Sequence, residues 1–457
     1  MDFLNGKIKP IYFKYLGAAF GSALITSIYS LVDMAMVGQY QGPEGTAALA
    51  VVAPVWNIIY SLGLLMGIGG SVIFSAKRGE INQNQTDSNE NQKNRAKSTE
   101  SIENQYFTIA VLGSVFLSLI SWICIFAFDD QILTFFGADS SLLPLAKDYM
   151  KPVKIVFPLF LFNQMLAAFL RNDKNPSLAT AAVLAGGIFN VFGDYFFVFT
   201  CDMGIFGAGL ATAIGSGISF IVMISHFFTK KNSLKVVKVQ RPFKKLQEIS
   251  ITGFSTFFID VAMGILTVFF NRQIMHYFNS DALAVYGPII NVSTFVQCCA
   301  YSVGQATQPI ISTNYGAHKG ARIKETLRLA IWTSAFFAIF WTALSLACPN
   351  LYIRIFMKPT PQILQIAPAI IRTYSLSFLL LPFNIFSTYY FQSLMKAKAA
   401  LIVSVLRGLV VSGLLILILP LIFAPQTIWL AMPLTEILVA IYASLMIRKY
   451  TKGLPEG

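Results

Sequence analysis

Residues 46–76, TAALAVVAPVWNIIYSLGLLMGIGGSVIFSA, contain no Asp, Glu, Lys or Arg. A helix of roughly 20 apolar residues is long enough to cross the hydrocarbon core of a bilayer. The whole chain shares this character, because 55% of its 457 residues are hydrophobic and only 12% are charged. Globular proteins carry about 25% charged residues. The composition therefore excludes a water-soluble globular protein and predicts an all-α integral membrane protein.

Eleven further apolar runs predict twelve transmembrane helices in all. The twelve runs lie near 11–37, 46–76, 104–127, 144–169, 176–199, 204–229, 246–278, 281–313, 321–348, 363–394, 396–423 and 425–449. Most Lys and Arg residues fall in connections on one side of this arrangement, which places both termini in the cytoplasm. We therefore predict a multi-pass protein of the cell inner membrane. The Lys and Arg residues of the cytoplasmic connections account for the net charge of +13. For this reason no nucleic-acid partner is expected.

The chain repeats itself at an offset of about half its length. Residues 48–51, Ala-Leu-Ala-Val leading to Pro54, recur as residues 282–285, Ala-Leu-Ala-Val leading to Pro288. Two six-helix halves with an internal repeat are typical of secondary transporters, in which the substrate site lies between the halves. The sequence thus predicts two pseudo-symmetric six-helix lobes.

The predicted N-lobe covers residues 1–229 and the predicted C-lobe covers 246–457. Residues 79–105 are rich in Asn, Gln, Ser and Glu, which predicts a polar, disordered cytoplasmic loop. Residues 230–245 form a basic cytoplasmic linker, which we expect to contact anionic lipid headgroups. Membrane lipids are therefore expected partners.

Ionisable residues inside a bilayer cost about 2.5–3.5 kcal/mol each, so each requires an explanation. Asp33 lies late in the first run, and Asn190 lies one turn before Asp194 on the same helix face. Thr212 adds a hydroxyl from the sixth run. These oxygens can hold a proton shared between the two acids, or a Na+ ion. The alternative is that both acids lie near the membrane surface and have no role.

The second half carries Asp260 in the seventh run and Glu436 in the twelfth. Either acid can attract a cationic substrate, but Arg407 in the eleventh run can instead form a silent ion pair with one of them. The tenth run carries no acid, so paired carboxylates like those of the first half are not expected here. The chain has no phosphate-binding glycine loop or catalytic pair, so we expect neither an enzyme nor a cofactor.

Several segments resemble the multidrug and toxic compound extrusion (MATE) family. They are residues 32–38 (VDMAMVG), the Asn190…Asp194 pair, and Gly207-Ala208 through Ala211-Thr212. The resemblance implies a monomeric antiporter that expels organic cations in exchange for H+ or Na+ by alternating access of two lobes. It also implies an N-lobe cation site at Asp33, Asn190, Asp194 and Thr212. The alternative is a lipid-linked saccharide flippase of the same superfamily, which would need a basic central cavity.

Overall fold

The computed structural model describes residues 2–86, 102–356 and 359–455, and the regular structure within these ranges is entirely helical. Within these ranges, eleven helices are long and apolar enough to cross a membrane. The first, Ile8–Thr86, has 79 residues, which correspond to about 120 Å, against roughly 30 Å of hydrocarbon. It is interrupted at Gly42, where φ is 69° and ψ is −156°. Residues 8–41 and 43–86 therefore form the first and second spans.

Spans three to twelve follow in chain order. Their bounds are Ile102–Ala127, Leu142–Asn172, Pro176–Thr200, Gly204–Phe228, Pro242–Tyr277, Asp281–Gly316, Gly320–Ala347, Pro361–Ser393, Ala397–Ile422 and Pro425–Lys452. A short helix precedes both the fourth and the tenth span, namely Asp129–Phe135 and Pro349–Phe356. The prediction of a multi-pass, all-helical membrane protein with twelve spans is confirmed.

One pair of corresponding spans packs closely at a glycine in each half of the chain. In the first half, a Cβ added to Gly67 of the second span would lie 2.9 Å from the Cα of Met165 in the fourth span. In the second half, a Cβ on Gly304 of the eighth span would lie 2.5 Å from the ring of Tyr389 in the tenth span. Equivalent spans therefore approach each other closely at glycine in both halves, as expected for an internal repeat.

The chain divides into two compact units whose boundaries differ from the predicted lobes. The first unit contains residues Gly17–Phe257, and the second contains Asp2–Leu16 together with the described residues from Phe258 onward. The start of the seventh span therefore belongs to the first unit. The start of the first span belongs to the second unit.

Close helix packing explains why the start of the seventh span belongs to the first unit. A Cβ on Gly253 would lie 2.0 Å from the carbonyl oxygen of Leu65, and a Cβ on Gly69 would lie 2.2 Å from that of Ile249. The second and seventh spans thus meet backbone to backbone, which only glycine permits at these two positions.

Hydrogen bonds explain why the N-terminal residues belong to the second unit. Arg322 Nη2, at the start of the ninth span, donates to the carbonyl oxygens of Phe3 (2.8 Å) and Gly6 (2.7 Å). Further along, the Tyr12 hydroxyl donates to Thr333 Oγ1 at 2.8 Å. The apolar pattern of the sequence gives no information about such contacts.

The predicted polar loop at 79–105 is shorter than expected. Residues 79–86 continue the second span, which ends at Thr86, and residues 102–105 begin the third span, Ile102–Ala127. Residues 87–101 lie outside the described part of the chain. Polar composition misled the prediction at residues 103–105, because their side chains are buried and those of Asn104 and Gln105 accept backbone hydrogen bonds within the first unit.

Candidate functional site

Three spans of the first unit approach one another through glycines. A Cβ on Gly186 of the fifth span would lie 2.4 Å from the carbonyl oxygen of Gly215 in the sixth span. A Cβ on Gly209, also in the sixth span, would lie 2.2 Å from the carbonyl oxygen of Tyr149 in the fourth. The backbones of these spans are therefore in contact, so their polar side chains meet within one turn of each glycine.

A chain of hydrogen bonds links these spans to the first span. Asn190 Nδ2 donates to Thr212 Oγ1 at 3.0 Å, and the hydroxyls of Thr212 and Tyr149 lie 3.3 Å apart. The Tyr149 hydroxyl donates to Asp33 Oδ2 at 3.1 Å. Since the single proton of Tyr149 points at Asp33, Thr212 must donate to the Tyr149 oxygen. The chain therefore runs from Asn190 to Asp33.

Asp194 lies beside this chain and is fully buried. Neither of its carboxylate oxygens has a hydrogen-bond partner among the described residues, and the same holds for Asp33 Oδ1 and Asn190 Oδ1. Asp194 is near enough to Asp33 for the two carboxyl groups to interact electrostatically. We name Asp33, Tyr149, Asn190, Asp194 and Thr212 the N-unit acidic cluster.

Four buried oxygens without a hydrogen-bond partner in one cluster point to a ligand. A buried polar atom without a partner costs about 1–3 kcal/mol, and a charged one costs more. Two neighbouring carboxyl groups lower this cost by sharing a proton. Carboxylate and amide oxygens are also the donors that hard cations prefer. The donor set therefore fits either H+ or Na+.

The backbone next to Asp194 is irregular. A π-helical segment, Tyr195–Thr200, directly follows this residue in the fifth span. Such π-helical turns occur frequently at functional sites, because the extra residue in the turn rearranges the side chains on either side of it. The irregularity thus coincides with the buried acid that lacks a partner.

The second unit contains a buried ion pair. Arg407 Nε donates to Glu436 Oε1 at 2.8 Å, and Asn384 Nδ2 donates to Glu436 Oε2 at 2.6 Å. Arg407 and Glu436 are 2% and 0% exposed. Of the two alternatives for Glu436, the structure shows the ion pair with Arg407. Both carboxylate oxygens are thereby occupied.

Asp260 has different surroundings from Glu436. It is half-buried, and its Oδ1 accepts a long hydrogen bond of 3.4 Å from the Tyr301 hydroxyl. Tyr301 also interacts electrostatically with Arg407, so Asp260 lies in the neighbourhood of the ion pair. A role for Asp260 in attracting a cationic substrate stays a prediction.

The sequence analysis missed Tyr149 and Asn384. Each is one of several polar residues in its predicted run, at 144–169 and 363–394 respectively, and neither forms a pattern with its neighbours. The only available signal was their position within apolar runs, where a hydroxyl or amide needs a partner. Many other Tyr and Asn residues in the chain share that signal, so it does not single these two out.

Comparison with known proteins identifies the family. The MatE family model matches residues 18–87, 92–196 and 258–418, which is well over half of the chain. The chain belongs to the MatE family. This is the MATE family of membrane transporters that the motifs resemble, so the protein is a transporter and not an enzyme.

Individual MATE relatives match over nearly the whole chain. The multidrug export protein MepA of Staphylococcus aureus (strain NCTC 8325 / PS 47) is 25% identical over 427 residues, covering 93% of this chain and 90% of MepA. The solved outward-facing structure of a multidrug resistance MATE family transporter of the MOP superfamily has a TM-score of 0.87 at 18% identity, with 99% and 98% of the two chains covered. A MOP superfamily transporter from Pyrococcus furiosus, described as having a binding pocket of reversed polarity that suggests a different function, has a TM-score of 0.88 at 18% identity, with the same coverage. At these identities the two structures show the shared fold alone.

Proposed function

We propose that the protein is a secondary active multidrug efflux antiporter. It expels organic cations in exchange for H+ or Na+, and its two units alternate access to the two sides of the membrane. The relationship to MepA, a multidrug export protein in name, supports the substrate class. The N-unit acidic cluster supports the coupling to a cation.

The observation that carries the proposal is that Asp194 is fully buried and that both of its carboxylate oxygens, together with the buried Oδ1 of the half-buried Asp33, have no hydrogen-bond partner among the described residues. Neither carboxylate forms an ion pair with a basic residue in the described ranges, so a bound H+ or Na+ supplies the missing charge. The bound cation favours one arrangement of the two units and the bound drug favours the other. Each ligand shifts this equilibrium only by the difference in its affinity for the two states.

Asp260 is the acid that we assign to substrate attraction in the second unit. Its side chain is half-buried, so it is accessible to a cation. Glu436 has both oxygens occupied by Arg407 and Asn384, and we assign to it the positioning of Arg407. Both termini are cytoplasmic in this proposal, in agreement with the distribution of Lys and Arg.

Ethidium transport into inverted vesicles tests the proposal. A pH gradient and a Na+ gradient are applied in turn, and the gradient that drives accumulation identifies the coupling ion. Asp194→Asn should abolish accumulation under both gradients while the protein remains in the membrane at wild-type levels. The matched control is Asp148→Asn, which removes an acid whose side chain is 42% exposed and pairs with Lys151. Normal accumulation by Asp194→Asn would overturn the assignment.

One observation favours the flippase alternative. Arg407 Nη1 and Nη2 are buried and have no hydrogen-bond partner in the described part of the chain, and a phosphate would satisfy both. The unpartnered atoms of the N-unit acidic cluster, however, are all oxygens, which favour a cation. The flippase would be favoured if vesicles containing the protein move a fluorescent lipid-linked phosphate between their leaflets. In the same vesicles, neither the pH gradient nor the Na+ gradient would drive ethidium accumulation.

A further inference from the structure

The connection between the sixth and seventh spans is strongly basic. Residues 230–245 contain seven Lys and Arg and no Asp or Glu. Residues 230–241, which precede the seventh span, are named the strap here. A connection of this charge repels itself and would extend into water if nothing held it.

The third span holds the strap along its length. Three backbone N–H groups of the strap donate to polar side chains in the first turns of this span: Lys235 to Asn104 Oδ1 (2.9 Å), Val237 to Thr108 Oγ1 (3.0 Å) and Gln240 to Gln105 Oε1 (3.0 Å). Leu234 is 2% exposed and belongs to the apolar core of the first unit. The strap is therefore a fixed part of the surface.

A buried carboxylate holds the beginning of the strap. Asp173 Oδ2 accepts hydrogen bonds from the backbone N–H of Ser233 (2.9 Å) and from His226 Nε2 (2.8 Å). Asp173 Oδ1 accepts from the Ser233 hydroxyl and from Arg78 Nη1. Burial alone would raise the pKa of Asp173, but the His226 hydrogen bond, the Arg78 guanidinium and the Ser233 donors together lower it. The carboxylate is thus ionised and accepts four hydrogen bonds, two of which come from Ser233 of the strap.

These contacts fix the inner face of the strap, and its basic side chains lie on the opposite, outer surface. They are exposed, namely those of Lys230, Lys231, Lys235, Lys238 and Arg241, and so is Lys244 just after the strap. Apolar side chains lie between and beside them, with Phe228, Val236 and Phe243 exposed by 86%, 75% and 85%. Lysines interleaved with exposed aromatic and aliphatic groups are typical of surfaces that lie in the interface of a bilayer.

We propose that the strap is a preorganised binding site for anionic phospholipid headgroups. The strap connects two spanning helices, so it always lies at the membrane surface. There the lipid phosphates meet its Lys and Arg side chains, and Phe228 and Phe243 enter the headgroup region. A nucleic acid or acidic protein would match the charge but would leave these apolar groups in water. The proposal does not depend on the transported substrate.

Native mass spectrometry of the full-length protein in detergent tests the proposal, with palmitoyl-oleoyl phosphatidylglycerol and the matching phosphatidylcholine as probes. The wild type should bind phosphatidylglycerol in preference to phosphatidylcholine. Lys235→Gln with Lys238→Gln should weaken phosphatidylglycerol binding by about fivefold for each lysine removed. The matched control is Lys9→Gln with Lys14→Gln, which removes equal charge from exposed positions of the first span. An equal loss in both double variants would overturn the proposal, because it would indicate unspecific attraction.

A second variant tests the preorganisation. Asn104→Ala with Thr108→Val removes two anchors of the strap and keeps every positive charge. It should speed hydrogen exchange at the Lys235 and Val237 amides and weaken phosphatidylglycerol binding severalfold. Released amides with unchanged lipid binding would contradict a preorganised site. Glycerol phosphate at millimolar concentration should not displace the lipid, and displacement would mean that the strap binds free phosphate.

Discussion

Gly186→Ala perturbs the N-unit acidic cluster without touching any of its members. The added Cβ would lie 2.4 Å from the Gly215 carbonyl oxygen. Real Cβ contacts begin at 3.0 Å and become ordinary at 3.4 Å, so the fifth and sixth spans must separate locally by about 0.6–1.0 Å. The Asn190–Thr212 hydrogen bond, now 3.0 Å long, then stretches beyond the roughly 3.5 Å at which such bonds fail.

The expected result is weaker binding of the coupling cation, because loss of the Asn190–Thr212 hydrogen bond breaks the chain that positions Asn190 and the Tyr149 hydroxyl. A hydrogen bond contributes about 1 kcal/mol, so half-maximal efflux should require about fivefold more H+ or Na+. The assay is the initial rate of ethidium transport in vesicles, measured across a series of cation concentrations.

Gly217→Ala is the matched control for Gly186→Ala. It lies in the sixth span close to the same contact, and an added Cβ there meets nothing within 4 Å. This variant should keep the wild-type cation dependence. An unchanged cation dependence in Gly186→Ala, with the two variants indistinguishable, would refute the reasoning that helix contact at Gly186 sets the geometry of the cluster.

Three further predictions concern other buried groups. Tyr149→Phe removes the hydrogen-bond donor to Asp33, so the coupling cation becomes the main partner of that carboxylate. Half-maximal efflux should then occur at about tenfold lower cation concentration. An unchanged concentration for half-maximal efflux would contradict this prediction. Glu436→Gln leaves the Arg407 charge buried without its partner and should destabilise the protein by about 3–5 kcal/mol in thermal unfolding. Adding Arg407→Met to this variant should restore most of the lost stability. A double variant that is no more stable than Glu436→Gln alone would contradict the ion-pair account. Since its partners lower the pKa of Asp173, this group stabilises the fold above the unfolded pKa of about 3.9, and the stabilisation disappears as pH falls through the lower folded value. Asp173→Asn should therefore unfold at a lower temperature than the wild type at pH 7, and the difference in unfolding temperature should shrink below about pH 4. A difference that stays constant with pH would contradict the pKa argument.

The twelve spans were predictable because hydrocarbon imposes a simple rule on the sequence. A run of roughly 20 apolar residues has few alternatives to a spanning helix. The rule does not define where a helix begins or ends. The start of the third span at Ile102 was therefore predicted as part of a polar loop. Asn104 and Gln105 resemble loop residues in composition, but their side chains bind the backbone of the strap.

The candidate site was only partly predictable. Asn190 and Asp194 share a helix face because of their spacing, and Asp33 is costly wherever it lies in the membrane. Their proximity in space depends on glycine contacts such as Gly186 with Gly215, which are long-range and leave no local pattern. For the same reason Tyr149 could not be distinguished from other tyrosines before the structure placed its hydroxyl between two spans.

The most direct test of the central claim is cation release by the purified protein in detergent. One sample of the wild type is loaded with protons at moderately acidic pH, and a separate sample is loaded with radioactive 22Na+. Adding ethidium should release close to one H+ or one Na+ per protein, depending on the coupling ion. The account predicts that Asp33→Asn with Asp194→Asn binds ethidium but releases neither cation. Undiminished release from this double variant would show that the coupling cation is bound elsewhere and would contradict the account.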